Sequence, residues 1–152
     1  MSDRTPDIEQ EVWIDAPVET VWSAISTAEH LAEWFSDEAV FEARPGAEGL
    51  LTWRGHGTFP LRVEEVDQPR LLTFRWLRKD GAVLDGPTTM VRFHLTEQRG
   101  GTLVHVIETG VRELPWTAGD RVEYARENSA GWRRELGELT AYVEDRLRTR
   151  EP

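Results

Sequence analysis

The stretch "TTMVRFHLTEQRGGTLVHVIETG", residues 88–110, places an acid where an apolar residue is expected. Val91, Phe93 and Leu95 alternate along its first half. A two-residue turn at Arg99-Gly100 would pair position 91 with 108, 93 with 106 and 95 with 104. One face then holds Val91, Phe93, Leu95, Val104, Val106 and Glu108. Glu108 either reaches water as a strand-end residue at the cavity mouth or is buried without a partner, where its charged form would be disfavoured. As an acid it could donate a hydrogen bond to a ligand carbonyl; ionised, it could take a proton or bind a hydroxyl. Arg62 or Arg75 would pair with it only by turning inward. By parity both point away from the apolar rows Leu61/Val63 and Phe74/Trp76.

Other groups offer less chemistry. The same register sets His94 opposite His105 on the other face, but two histidines are too few for a closed zinc site, so no metal site is assigned. His30 lies among polar residues of a short helix. His56, in the turn "RGHG", is placed to overhang a pocket mouth. Ser129 falls mid-helix without a histidine partner, and its hydroxyl is expected to bond back to the preceding turn. The chain has no cysteine, hence no thiolate chemistry. Nucleophile-elbow, phosphate-loop and dinucleotide signatures do not occur. No catalytic residue and no cofactor is assigned.

The elements that must carry these groups follow from periodicity. "IEQEVWI" (8–14) sets Ile8, Val12 and Ile14 against Glu9, Glu11 and Trp13, a strand with one buried face. "DAPVETVWSAI" opens a short helix at Pro17, and Ser26 with Glu29 fits a capping box for a second, "TAEHLAEWF". Six strands follow, from "EAVFEA" to "TLVHVIET", with short turns that favour an antiparallel meander. A cap at Thr117–Asp120 then opens a long helix to about Leu147. Its apolar stripe is Val122, Ala125, Ser129, Trp132, Leu136, Leu139, Val143 and Leu147. A sheet with one apolar face must bury it, and this stripe is the partner available. The fold class is therefore α+β: a curved antiparallel sheet of about seven strands around a long C-terminal helix, with two short helices after the first strand.

Composition narrows the function. With 28 acidic and 18 basic residues the net charge is −10, which repels phosphate backbones and anionic lipid heads. Neither nucleic acid nor membrane insertion is expected. The polar opening "MSDRTPDIEQ" lacks the apolar core of a secretion signal, which makes the cytoplasm the expected compartment. The 152 residues read as one domain, 1–152, with its core at 8–147. Seven tryptophans are many for this length. Trp53, Trp76 and Trp132 fall on inward faces; Trp22 and Trp34 fall on the short helices, which should close one end. Gly131 and Gly137 interrupt the long helix at a cost of roughly 1 kcal/mol each. Gly131, beside Trp132, is expected to let another element or a ligand approach the helix backbone closely.

"IDAPVETVWSAIS", "HLAEWF", "VEEVDQPRLLTFRW", "GGTLVHVIETG" and "GWRRELGELTAYVE", taken in order over residues 8 to 147, resemble the helix-grip proteins of the SRPBCC (START and birch-pollen-allergen-like) superfamily. The bacterial branch named after the activator of heat-shock-protein-90 ATPase is the most similar. The resemblance implies a sheet gripping the C-terminal helix around a hydrophobic cavity, and relatives that bind lipids, sterols or polyketides, some of them cyclising polyketides. The expected function is binding of a hydrophobic or aromatic small molecule. Its candidate contacts are Trp34, Trp53, Phe59, Trp76, Phe93, Glu108, Trp132 and Leu136. A polyketide aromatase/cyclase-like enzyme is the alternative, and a chaperone-ATPase-activating interaction protein ranks third.

Overall fold

The computed structural model describes residue 5 and residues 7–147; the outermost ends of the expected 1–152 domain, including most of "MSDRTP", lie outside the described residues. Seven strands form one antiparallel sheet: β1 (Ile8–Ile14), β2 (Glu38–Val40), β3 (Glu48–Trp53), β4 (Gly57–Asp67), β5 (Leu71–Trp76), β6 (Thr89–Gln98) and β7 (Gly101–Thr109). Their order is β1-β7-β6-β5-β4-β3-β2, so β1 and β2 are the edges. Helices α1 (Val18–Ser26) and α2 (Ala28–Trp34) follow β1. Helix α3 (Ala118–Tyr142) ends in a π-helical turn, Val143–Leu147. This is the α+β fold expected from the periodicity and the helix grip implied by the resemblance, with a curved sheet and a long C-terminal helix.

The β6–β7 register is the one the turn dictates. Arg99 and Gly100 both have positive φ, +55° and +78°, as a two-residue hairpin turn matching the strand twist requires. Val91 then pairs Glu108, Phe93 pairs Val106 and Leu95 pairs Val104. A bulge between Val63 and Glu65 shifts the β4–β5 register, and the Thr73 hydroxyl accepts the Glu65 N–H displaced there. Bulges bend a strand and increase its local twist. The inward residues Leu61, Val63, Leu72, Phe74, Trp76, Val91, Phe93, Leu95, Val104 and Val106 are all buried and form the floor of the core.

Local details depart from expectation at four points. The Ser26/Glu29 capping box is not made: Thr27 is the N-cap of α2, and the Ser26 hydroxyl donates to the Trp22 carbonyl instead. The Thr117 cap does form, its hydroxyl accepting the Asp120 N–H. Val122 is 52% exposed; the buried face of α3 is turned toward Tyr124 and Asn128, which take its place. The Ser129 hydroxyl accepts from Gln10 Nε2 of β1 rather than bonding back along its own helix. Finally, neither helix glycine admits a close neighbour. A Cβ at Gly137 would meet nothing within 4 Å, and one at Gly131 only the Arg134 guanidinium at 3.8 Å.

Gly137 thus carries the entropic cost of glycine without a packing reason. Gly137→Ala should raise stability by about 0.5–1 kcal/mol, seen in a thermal melt as a rise of roughly 1–4 °C for a domain of this size.

Candidate functional site

Glu108 is fully buried, and its carboxylate is far from unpartnered. From β5, Trp76 Nε1 donates to Oε2 at 3.2 Å. From β6, the Thr89 hydroxyl donates to the same oxygen at 2.5 Å. Three donors come from α3: the Tyr124 hydroxyl to Oε2 at 3.1 Å, Asn128 Nδ2 to Oε1 at 3.2 Å, and Trp132 Nε1 to Oε1 at 3.0 Å. A carboxylate accepts through about four lone-pair sites and donates nothing, which is what a ring of N–H and O–H donors requires. The arginines considered for this role stay outside: Arg62 pairs with Glu48 at 3.4 Å and Arg75 with Glu64 at 3.6 Å. The expectation of a bare carboxylate lining a hollow interior is therefore corrected; the protein itself fills its acceptor sites.

Tyr124 is held in the neutral form. Burial, reinforced by the adjacent Glu108 carboxylate, pushes its phenol well above the ordinary range. It donates to Glu108 and accepts the Arg78 backbone N–H at 3.1 Å. That bond fixes the chain just beyond β5.

Around this polar node the interior is packed with rings instead of being hollow. Phe35 stacks on Trp132 with centroids 5.5 Å apart and planes 18° apart, and meets Trp53 edge-on at 5.1 Å. Trp76 lies 5.9 Å from Trp132 and 6.1 Å from Trp53. The inner cavity left between Phe35, Trp53, Trp76, Asn128, Gly131 and Trp132 has a volume of only about 20 Å³, room for roughly one water. Outside it lies a cleft of about 420 Å³ bordered by Trp34, Phe35, Trp53, His56, Arg78, Arg134, Glu135 and Glu138. A cleft of this size falls in the range of small-molecule sites.

The sequence-derived candidates divide accordingly. Trp34 and Trp53 border the cleft, and Trp76 and Trp132 border the inner cavity. Phe59, Phe93 and Leu136 are buried core, with Phe59 against Trp53 at 5.8 Å and Phe93 against Trp132 at 5.6 Å. Trp22 is likewise buried in α1. His56 stands at the cleft rim, where the turn placed it. His105 faces Glu9 at 2.5 Å and His30 Nδ1 lies 2.6 Å from the Tyr142 hydroxyl. Among the described residues no group of three or more potential metal ligands comes together.

Reasoning from sequence missed Phe35, Arg78, Arg134 and Glu135. Glu135 had a readable signal: it follows Gly131 by one helical turn and so shares its face. Its carboxyl is pushed up to about 7, chiefly by burial; the Arg134 guanidinium, the Trp53 indole and Arg78 pull it back only in part.

With this geometry in place, the class is a helix-grip α+β protein whose grip is closed by aromatic rings. The chain belongs to the family described as Activator of Hsp90 ATPase homolog 1-like protein, whose model matches residues 15–144. Among solved structures it is similar to DynU16, a protein of the dynemicin biosynthetic locus: 27% identity over 91% of this chain and 47% of that one, TM-score 0.75. The chain thus spans about half the length of DynU16. It is also similar to BH1534 from Bacillus halodurans, with 32% identity over 91% of this chain and 96% of that one, TM-score 0.71. For CalU16 from Micromonospora echinospora the values are 25%, 93% and 80%, TM-score 0.65. No curated protein matches the sequence. No helix of the described residues is long and apolar enough to cross a membrane.

Two outcomes follow from these groups. Glu108→Gln sets an amide NH2 among donors and leaves at least one of them without an acceptor. It should cost about 2–4 kcal/mol, measured by urea unfolding. Glu135 gives a pH dependence. An unfolded glutamate titrates near 4.5 and the folded one near 7, so between these values the folded state holds more proton. The associated stability is complete below the lower value and is lost as pH rises through the upper one. Glu135→Gln should therefore raise the melting temperature at pH 8, by ~2–4 °C after discounting for solvent access, and change it little at pH 4.

Proposed function

We propose that the protein binds a hydrophobic or aromatic small molecule in the cleft between the sheet and α3. One observation carries the reading: the half-buried Trp53 ring, with the edges of the buried Trp34 and Phe35 beside it, borders a cleft of about 420 Å³. Rings of this kind bury large area and supply most of the contact energy of small-molecule sites. Trp76 and Trp132 back this wall, and their indole N–H groups are engaged by Glu108, so they offer faces and not polar atoms. Glu108 serves the site by holding those indoles in place. The similarity to DynU16, a protein of a biosynthetic locus, supports a biosynthetic intermediate as the kind of molecule bound.

A cyclase-like enzyme is the second reading, and Glu135 is the observation that favours it. A carboxyl titrating near 7 at the edge of an aromatic cleft is suited to move a proton at neutral pH.

Gly131 supplies the test of binding. A side chain there would project into the inner cavity at the edge of the cleft, against nothing nearer than Arg134 at 3.8 Å. Titration with neutral 2-naphthamide, followed by tryptophan emission, should show saturable binding to the unmodified protein. Gly131→Leu should weaken it about tenfold or more, at a stability cost of about 1–3 kcal/mol because the side chain exceeds the space of about 20 Å³ that it enters. Undiminished binding in the folded variant would place the ligand elsewhere.

A further inference from the structure

The rim of the cleft carries charge that the aromatic wall does not explain. Arg78, directly beyond β5, lays its guanidinium over the Trp53 ring, 5.5 Å from the centroid. Its backbone is anchored through Tyr124 to the Glu108 node. Arg134, on α3, lies 3.8 Å from the position a Gly131 Cβ would occupy. Both border the inner cavity and the outer cleft alike. Arg44, Arg62, Arg75, Arg112, Arg126 and Arg146 each engage a carboxylate. Among the described residues, no carboxylate oxygen comes within 4.0 Å of Arg78 or Arg134; the same holds for Arg54, Arg70, Arg92, Arg99 and Arg133, but only Arg78 and Arg134 border this cleft. Glu135, on whose carboxyl both guanidiniums act, is the acid they already face; when it is protonated, two guanidiniums at one cleft mouth of a chain of net charge −10 remain for another anion.

Resting on the small-molecule reading above, we infer that the ligand is an aromatic carboxylate, its ring against Phe35 and Trp53 and its carboxylate held between Arg78 and Arg134. A planar carboxylate matches the guanidinium fork, which binds it through paired N–H donors, and the Trp53 face holds the Arg78 fork in orientation. Three other titratable groups border the cleft. His56 is exposed on the β3–β4 turn and adds positive charge when protonated. Glu138 is exposed on α3 and screened by water. Glu135 is the close acid; in its protonated form it donates a hydrogen bond to an incoming carboxylate instead of repelling it. Its high proton affinity, caused chiefly by burial, keeps that form populated at neutral pH.

The test uses a matched pair of probes, naphthalene-2-carboxylate and 2-naphthamide, titrated by calorimetry at pH 6.5 and moderate salt. The carboxylate should bind about tenfold tighter than the amide. Arg78→Gln combined with Arg134→Gln should bring the two probes to equal affinity. Arg133→Gln removes the same charge from the next position of α3 and should leave the difference intact. Since Arg134 is exposed and Arg78 only partly covered, the variants should fold, and an unchanged melting temperature checks this. Equal affinity of the two probes for the unmodified protein would overturn the anion seat while leaving aromatic binding in place. So would a preference that survives the double substitution or falls equally with Arg133→Gln. Failure of both probes to bind at ~1 mM would overturn the small-molecule reading and this inference together.

Discussion

A single buried carboxylate sets the relation between sheet and helix. Glu108 on β7 collects donors from Trp76 on β5, Thr89 on β6, and Tyr124, Asn128 and Trp132 on α3. Placing a charge inside a protein is costly unless hydrogen bonds replace its water. Here neutral side chains supply that replacement, and each must come from a fixed place. An apolar stripe alone would tolerate α3 sliding or rotating by a fraction of a turn. A carboxylate with directional partners on two strands and on α3 itself does not, and the rotation that buries Tyr124 and exposes Val122 is the outcome.

The same node explains why the interior is filled and yet has a cleft at its edge. Indoles committed to Glu108 through their N–H groups stand with their faces toward Phe35 and Trp53. The rings close the deep part of the grip and leave space only outward, between the end of α2, the β3–β4 turn and α3. Gly131 borders the inner cavity, and a Cβ there would meet only the Arg134 guanidinium. Gly131 thus has a place in the cavity lining, whereas Gly137 meets nothing.

Much of the fold was legible because it rests on local rules. The Arg99-Gly100 turn determines a register, and alternation then places every β6 and β7 side chain, Glu108 included. The node around Glu108 was not legible, because three of its five donors come from α3, 16 to 24 positions along the chain. A trace was present: Tyr124, Asn128 and Trp132 recur every four residues and share one helical face, a polar ladder beside the apolar stripe. Hydrophobicity alone favours Val122 and Ser129 over Tyr124 and Asn128. The cleft was hidden for another reason. Phe35, Arg78 and Glu135 come from a helix end, a strand end and a helix face, and no periodic pattern joins them.

The order of the strands has a consequence for how copies of this protein meet one another. An open sheet has two ends, each a row of backbone groups on which a foreign strand can add, and exposed ends of this kind template aggregation. Here β2 is only three residues long, too short to offer much of a ladder. The other end, β1, carries Glu9 and Glu11 side by side with the exposed Trp13, and Trp13 is tied by its indole N–H to the Gln98 carbonyl at the β6–β7 turn. A second β1 laid antiparallel against the first would bring these glutamates close to their counterparts. The acidity of the chain, spread over its surface as a whole, is thus also placed where it resists end-to-end growth of the sheet.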